Sequence, residues 1–199
     1  MMKLKTILLL ISWLTLTLSC KAQQILPLKN HSELVEGAYY KDIDNFLDQF
    51  VGTWKYQNGQ EEFLLILKKK LEYNFDDHFE DQLYGEYSYN TTYGVNLINT
   101  LSEINQNIDI LSHKITASTV IGKQQLISCP DCSNDEYRVL LSFSDPLQKH
   151  VSFRLILRYV NPTTIKAKIQ YTGHILLYGT EPMPIVTIPR DIDYIMTKQ

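Results

Sequence analysis

Two thiols three residues apart with a carboxylate between them, Cys129-Pro130-Asp131-Cys132, form the densest chemical grouping in the chain. In an oxidising compartment such a pair closes a small disulfide that pins a loop; where a helix start acidifies the outer thiol, it exchanges disulfides instead. Ser133-Asn134-Asp135 follows rather than an apolar helix, so the dipole that would acidify the thiol is missing and the sequence favours the pinned loop. Zinc is the third chemistry, but a structural site takes four Cys or His ligands, and His113 and His150 stand alone.

Asp76-Asp77-His78-Phe79-Glu80-Asp81 offers four carboxylates and an imidazole, donors suited to a divalent cation. It lacks the glycine and alternate spacing of a calcium loop and reads as a solvated acidic loop between strands. Tyr84, Tyr87, Tyr89 and Tyr93 could form a surface for a ligand or partner; core and rim packing is the plainer reading. Glu86 and Glu103 have the chemistry of an acid and base pair, but sequence fixes no distance between them. There is no Gly-x-Ser-x-Gly elbow, phosphate loop, His-Glu-x-x-His or dinucleotide fingerprint. The expectation is a non-enzymatic domain with no catalytic residue, metal or cofactor; an enzyme whose site is assembled from distant strands is the alternative.

The elements that must hold these groups are mostly strands. Ile43, Phe46, Leu47 and Phe50 recur at helical spacing, Asp42 can cap the start and Gly52 can end it, which predicts one short amphipathic helix. From Gly52 the period becomes two. Thr53 to Gln57 reads as a strand, Asn58-Gly59 as a type I′ turn, and Phe63 to Leu67 as a central strand covered on both faces. Further strands are expected at 83–89, 95–101, 115–121, 137–143, 151–159 and 165–171, with a last pair around Val186 and Tyr194. Asp145-Pro146 and Asn161-Pro162 mark turns. Short connections without helices imply antiparallel pairing, and closure removes exposed edges. The predicted fold is mainly β, a single antiparallel barrel or strongly curved sheet preceded by the short helix.

The N-terminus has the charged, apolar, small-residue order of a secretory signal: Lys3 and Lys5, an apolar run from Ile7 to Leu18, then Ser19 before Cys20. The run is too short for a membrane span of ~20 apolar residues. Leu16-Thr17-Leu18-Ser19-Cys20 resembles the lipobox of bacterial lipoproteins, with Thr17 where Leu is usual. That resemblance implies cleavage after Ser19 and a diacylglycerol on Cys20; cleavage after Ala22 would release the chain instead. The divisions are then a signal peptide 1–19, a lipidated N-terminus, tether and lead-in 20–41, and a β domain 42–199. Lys21-Ala22-Gln23-Gln24 lacks the acidic residues that direct related lipoproteins to the cell surface, so the expected place is the outer membrane, facing the periplasm. Loss of residues 1–19 moves the net charge from −3 to −5. No basic patch stands out, which argues against a nucleic acid partner.

Phe50-Val51-Gly52-Thr53-Trp54 resembles the opening of lipocalin-like barrels. The resemblance implies that Gly52 and Trp54 close one barrel end beneath a late arginine, Arg190, with Arg158 second. Ser19-Cys20-Lys21-Ala22-Gln23, Phe50 to Tyr56 and Asp81 to Tyr87 resemble an uncharacterised family of flavobacterial-type lipoproteins, domain of unknown function 6705. This implies class and location only. The reading is a membrane-anchored periplasmic lipoprotein that binds a small apolar ligand or an envelope protein partner, with a thiol-disulfide role for Cys129 and Cys132 as the alternative.

Overall fold

Alternating burial along the strands sets the architecture. Phe63, Leu65 and Leu67 are buried while Leu64 and Ile66 are half covered, and Ile165, Ala167 and Ile169 are buried between half-exposed lysines. Each strand therefore turns one apolar face inward. The computed structural model describes residues 22–29, 33–123, 125–148, 151–173 and 187–199. The expected signal segment 1–19, Cys20, His150 and Val186 lie outside them.

The strands, in chain order, are β1 Ile25–Pro27, β2 Tyr39–Lys41, β3 Gly52–Asn58, β4 Glu61–Asn74, β5 Phe79–Asn90, β6 Asn96–Asn99, β7 Ile115–Ile121, β8 Arg138–Phe143, β9 Phe153–Asn161, β10 Thr164–Tyr171 and β11 Tyr194–Lys198. Eight of them close an antiparallel barrel in the order β5-β4-β3-β11-β10-β9-β8-β7, with β7 returning to β5. β5 makes closure work by sharing its free edge. Its start pairs with β2, its middle with β7 at Gly85–Ile115, and its end with β6. Gly85 has no room for a side chain, since a Cβ there would stand 2.3 Å from the Ile66 carbonyl oxygen and 2.8 Å from Leu67.

The lead-in is part of the sheet. β1 and β2 pair in parallel, and β2 continues in parallel onto β5, an exception to the antiparallel rule expected from short connections. The expected amphipathic helix shrinks to a 3-10 turn, Phe46–Phe50. Asp42 does cap it, accepting from the backbone N–H of Phe46 and Leu47 at 2.8 Å each, but Ile43 is exposed. Lys69 reaches both Asp42 and Asp48, at 2.9 and 2.7 Å, and locks the turn to β4. The first hairpin is one residue off the expectation. Asn58 pairs with Glu61, so Gly59 and Gln60 form the turn, and only Gly59 has positive φ, at 62°. That fits a type II′ turn rather than I′.

Among the described residues, side chains fill the lumen. Phe63 sits in the middle of an aromatic group, its ring centroid 5.1 Å from Tyr194, 6.0 Å from Tyr87 and 6.3 Å from Tyr89. Tyr87 stacks on Phe143 at 4.6 Å, and Leu65, Val139, Leu155, Leu157 and Ile165 complete the interior with no exposed surface. Each such aliphatic or aromatic side chain contributes roughly 1.5–3 kcal/mol by burial. The tyrosine hydroxyls are satisfied: Tyr87 donates to the Ser144 carbonyl, Tyr89 to Glu61 and Tyr194 to the Pro189 carbonyl, at 3.1, 2.7 and 2.5 Å. Burial pushes the pKa of all three well above the ordinary tyrosine value, so they stay neutral.

Trp54 is fully buried, with its indole N–H donating to the Phe50 carbonyl at 2.7 Å. The cation over its ring is Lys198, 5.1 Å from the centroid; Arg190 lies instead over Tyr171 at 5.8 Å. The lysine takes this place because β11 pairs Lys198 with Trp54 across β3. Gly52 makes space for it: its φ is 130°, and a Cβ there would meet the Lys198 side chain at 3.0 Å.

Candidate functional site

On the outside of the barrel the strands β9 and β10 place like charges side by side. Lys166 and Arg158 are cross-strand partners, and the next outward pair is Lys168 with Ile156. Directly opposed like charges destabilise a sheet unless anions come to them. Here they come from the segment between β7 and β8. Glu136 accepts from Arg158 Nε and Nη2 at 2.6 and 3.1 Å, and Asp131 accepts from Nη1 at 2.6 Å. Asp193, just before β11, pairs with Lys168 at 2.9 Å.

The same segment covers Ile156, which faces outward yet is buried. Arg138, the first residue of β8, latches it in place. The Arg138 side chain is almost wholly buried, and its Nη2 donates to the carbonyls of Gly122, Lys123 and Ile127 at 3.1, 3.4 and 2.5 Å. Its Nε is buried without a protein partner among the described residues. Burial lowers the Arg138 pKa, and the Arg158 charge lowers it further.

Between the covering segment and the wall runs a groove of about 160 Å³. Arg138, Arg158, Lys166 and Lys168 line it against only two carboxylates, Asp131 and Asp193, with Ile127, Pro130 and Ile156 as apolar floor and rim. Glu136, outside the lining but bound twice to Arg158, is a third carboxylate, so the cations exceed the anions by one. The hydrogen bond from Arg158 holds the Asp131 carboxyl below its usual pKa range, and Lys166 adds to the same field.

Cys129 and Cys132 are joined as a disulfide, with Cα atoms 5.3 Å apart, and both are buried. No helix follows them, so the thiol-acidifying setting is absent from this loop. The disulfide closes the tight turn that carries Asp131, whose side chain is 69 % exposed, over Arg158.

A second polar group lies elsewhere on the outer wall. Glu86 points outward from β5, fully buried, and pairs through Oε1 with His113 Nδ1 at 2.7 Å. Residues 100–114 cover it, with 3-10 turns at Leu101–Asn105 and Ile110–Ser112, and the Tyr84 ring lies 4.8 Å from the imidazole. Glu86 Oε2 has no protein partner among the described residues. Glu103 is ion-paired with Lys114 at 2.9 Å, and the Lys114 backbone N–H donates to Glu86 Oε1 at 3.4 Å.

The remaining sequence candidates separate. Tyr84 faces outward onto His113, Tyr87 and Tyr89 face into the lumen, and Tyr93 stands 86 % exposed in the turn before β6. Period-two alternation divides them, so they form no common surface. The acidic stretch divides: Asp76 and Asp77 are exposed in the loop between β4 and β5, as expected, while Glu80 and Asp81 are buried in β5. Asp81 is buried in β5 and accepts from Tyr39 Oη, Asp42 N and Glu72 N at 2.6, 2.9 and 3.0 Å, while Asp77 holds His78 at 2.6 Å. Arg138, Lys166 and Lys168 were not singled out by sequence reasoning. The one available signal was the alternation of lysine with apolar residues in Ile165-Lys166-Ala167-Lys168-Ile169.

The profile of a family of unknown function, DUF6705, matches residues 1–199, and the chain belongs to that family. No curated protein matches the chain. No solved structure matches it either. Among the described residues no helix is long and apolar enough to cross a membrane.

Proposed function

We propose that this chain is an exported, lipid-anchored envelope protein whose filled barrel is a rigid support, and that it binds rather than catalyses, with recognition on the outer wall instead of in the lumen. The observation that carries the binding half is the contrast between a lumen occupied by Phe63, Tyr87, Tyr89 and Tyr194 and a cationic groove outside β9 and β10. A barrel that holds a small apolar ligand needs an open interior lined by its inward faces. The sealed state of Glu86 and His113 argues against their use on a substrate.

The export half is supported by the Lys3 to Ser19 signal pattern and by Cys20. β1 begins at Ile25, and five residues reach at most ~18 Å, so a diacylglycerol on Cys20 would hold the barrel close to the membrane surface. The outer membrane, on its periplasmic side, is the proposed location.

Native mass spectrometry of the protein taken from its own envelope tests both halves. The expected result is an acyl mass on a chain that starts at Cys20, abolished by Cys20→Ala, with no apolar molecule retained. A mature chain that starts beyond Cys20 without acyl groups would overturn the anchor. An apolar molecule that stays bound after stripping of lipid would overturn the outer-wall reading.

A further inference from the structure

The geometry points to a carboxylate-binding site in the groove between β9, β10 and the disulfide loop, in which a ligand carboxylate takes the place on Arg158, beside Lys166, that Asp131 now holds. This deepens the outer-wall reading and rests on it.

Three observations carry it. First, the cations are built in and the anion is not. Arg158 and Lys166 are fixed by their strand register, and the Arg158 side chain is only 19 % exposed, whereas the Asp131 side chain opposite it is 69 % exposed on a loop. Second, Arg158 keeps a permanent carboxylate in Glu136, which contacts it twice and is itself 21 % exposed. Removal of Asp131 therefore leaves a paired arginine with one free N–H edge, which is the fork that a planar carboxylate fits. Third, the groove has a floor. Ile156, Ile127 and Pro130 give an apolar body something to lie on beside the charge.

Size narrows the ligand class. About 160 Å³ is below the ~300 Å³ at which ordinary small-molecule sites begin, so the groove takes a head group: one carboxylate with a short flat or branched apolar neighbour. A carboxylate is favoured over a phosphate because the position already holds one, at 2.6 Å from Arg158, and because Asp193 occupies the neighbouring lysine and would repel a dianion.

Asp131 then acts as an internal competitor. The Cys129–Cys132 bridge shortens its loop and keeps its carboxylate near the arginine, so the free protein is self-neutralised and an incoming anion must displace it.

The test is a titration of the full chain as purified, wild type and Asp131→Asn, with benzoate and separately with inorganic phosphate, followed by NMR of the Arg158 Nε–H and the backbone amides of residues 166–170. Saturable benzoate shifts in that region are expected, with affinity about threefold higher in D131N, the weight of one exposed ion pair. Lys166→Gln should weaken binding by a similar factor and Lys166→Arg should retain it; circular dichroism confirms that each variant is folded. Equal affinity of D131N and wild type would overturn the exchange with Asp131. Phosphate binding without benzoate binding would overturn the carboxylate assignment. Benzoate shifts at Phe63, Tyr87 and Tyr194 instead of the groove would overturn the outer-wall reading itself, a result distinct from the absence of any shift, which removes only the carboxylate site.

Discussion

Residues 100–114 and residues 122–137 both cross the outside of the barrel, and each covers a charged group that the wall turns outward. Under the first, Glu86 is fully buried against a His113 whose side chain is 2 % exposed. Under the second, Arg158 meets Asp131 at a pair of which one member is mostly in water. The difference is one of exchangeability. A partner lost from a sealed pair leaves a charge in a low-dielectric setting, whereas a partner lost from an open pair is replaced by water or by another ion. The first cover is therefore read as structure and the second as a binding surface, although both are polar and both sit on the same barrel.

The largest effect that could break this comparison is expected in the sealed cover. His113→Ala leaves the Glu86 carboxylate buried with only the Lys114 backbone N–H at 3.4 Å, and should cost about 3 to 5 kcal/mol of stability in urea unfolding. Replacement of both members by apolar residues of similar volume, Glu86→Leu with His113→Phe, should recover most of that loss. A single-variant cost below about 1 kcal/mol, the range of exposed pairs, would put this cover in the same class as the groove.

How much of this was legible beforehand depended on the range of the interaction. Phe153, Leu155 and Leu157 announce a strand because period two is local, and Val139, Leu141 and Phe143 do so for the same reason. The short helix was over-read. The spacing of Ile43, Phe46, Leu47 and Phe50 is helical, but Asp42 already caps Phe46 and Leu47, and Gly52 begins β3 soon after, which leaves space for one 3-10 turn. Arg190 was expected over Trp54, yet the choice of Lys198 follows from a β11–β3 register that no local pattern encodes. The groove was the least legible feature. Its lining comes from segments around 130, 138, 157, 167 and 193, and only barrel closure brings them together.

The next effect is smaller and falls in the open cover. Cys129→Ser with Cys132→Ser removes a bridge that closes a loop of sequence separation 3. Loop entropy for so short a closure limits its contribution to about 2 kcal/mol. The sharper expectation is local. Hydrogen exchange should rise across residues 128–136, because the bridge that pins Asp131 is lost, while Gly122 and Ile127 stay held by Arg138. Exchange that rises equally over residues 100–114 would mean that the two covers unfold as one unit, and the comparison would fail.

The smallest effect is a titration. Asp131 has a folded pKa below its unfolded value, through the hydrogen bond from Arg158, so its contribution is present above the unfolded pKa of roughly 3.9 and is lost as pH falls through the folded one. Its side chain is mostly exposed to solvent, which makes the effect one of position more than of global stability. Between pH 8 and pH 5 the amide signals of residues 129–132 should stay fixed, and below about pH 4 they should move together with the Arg158 Nε–H while the lumen signals of Phe63 and Leu65 do not. An anion that occupies the groove removes the tie before the proton does, so added benzoate should displace the loop signals in the same direction at neutral pH. If acid and benzoate move them in unrelated directions, Asp131 is not the group that both displace, and the groove loses its claim to be the exchangeable half of the pair.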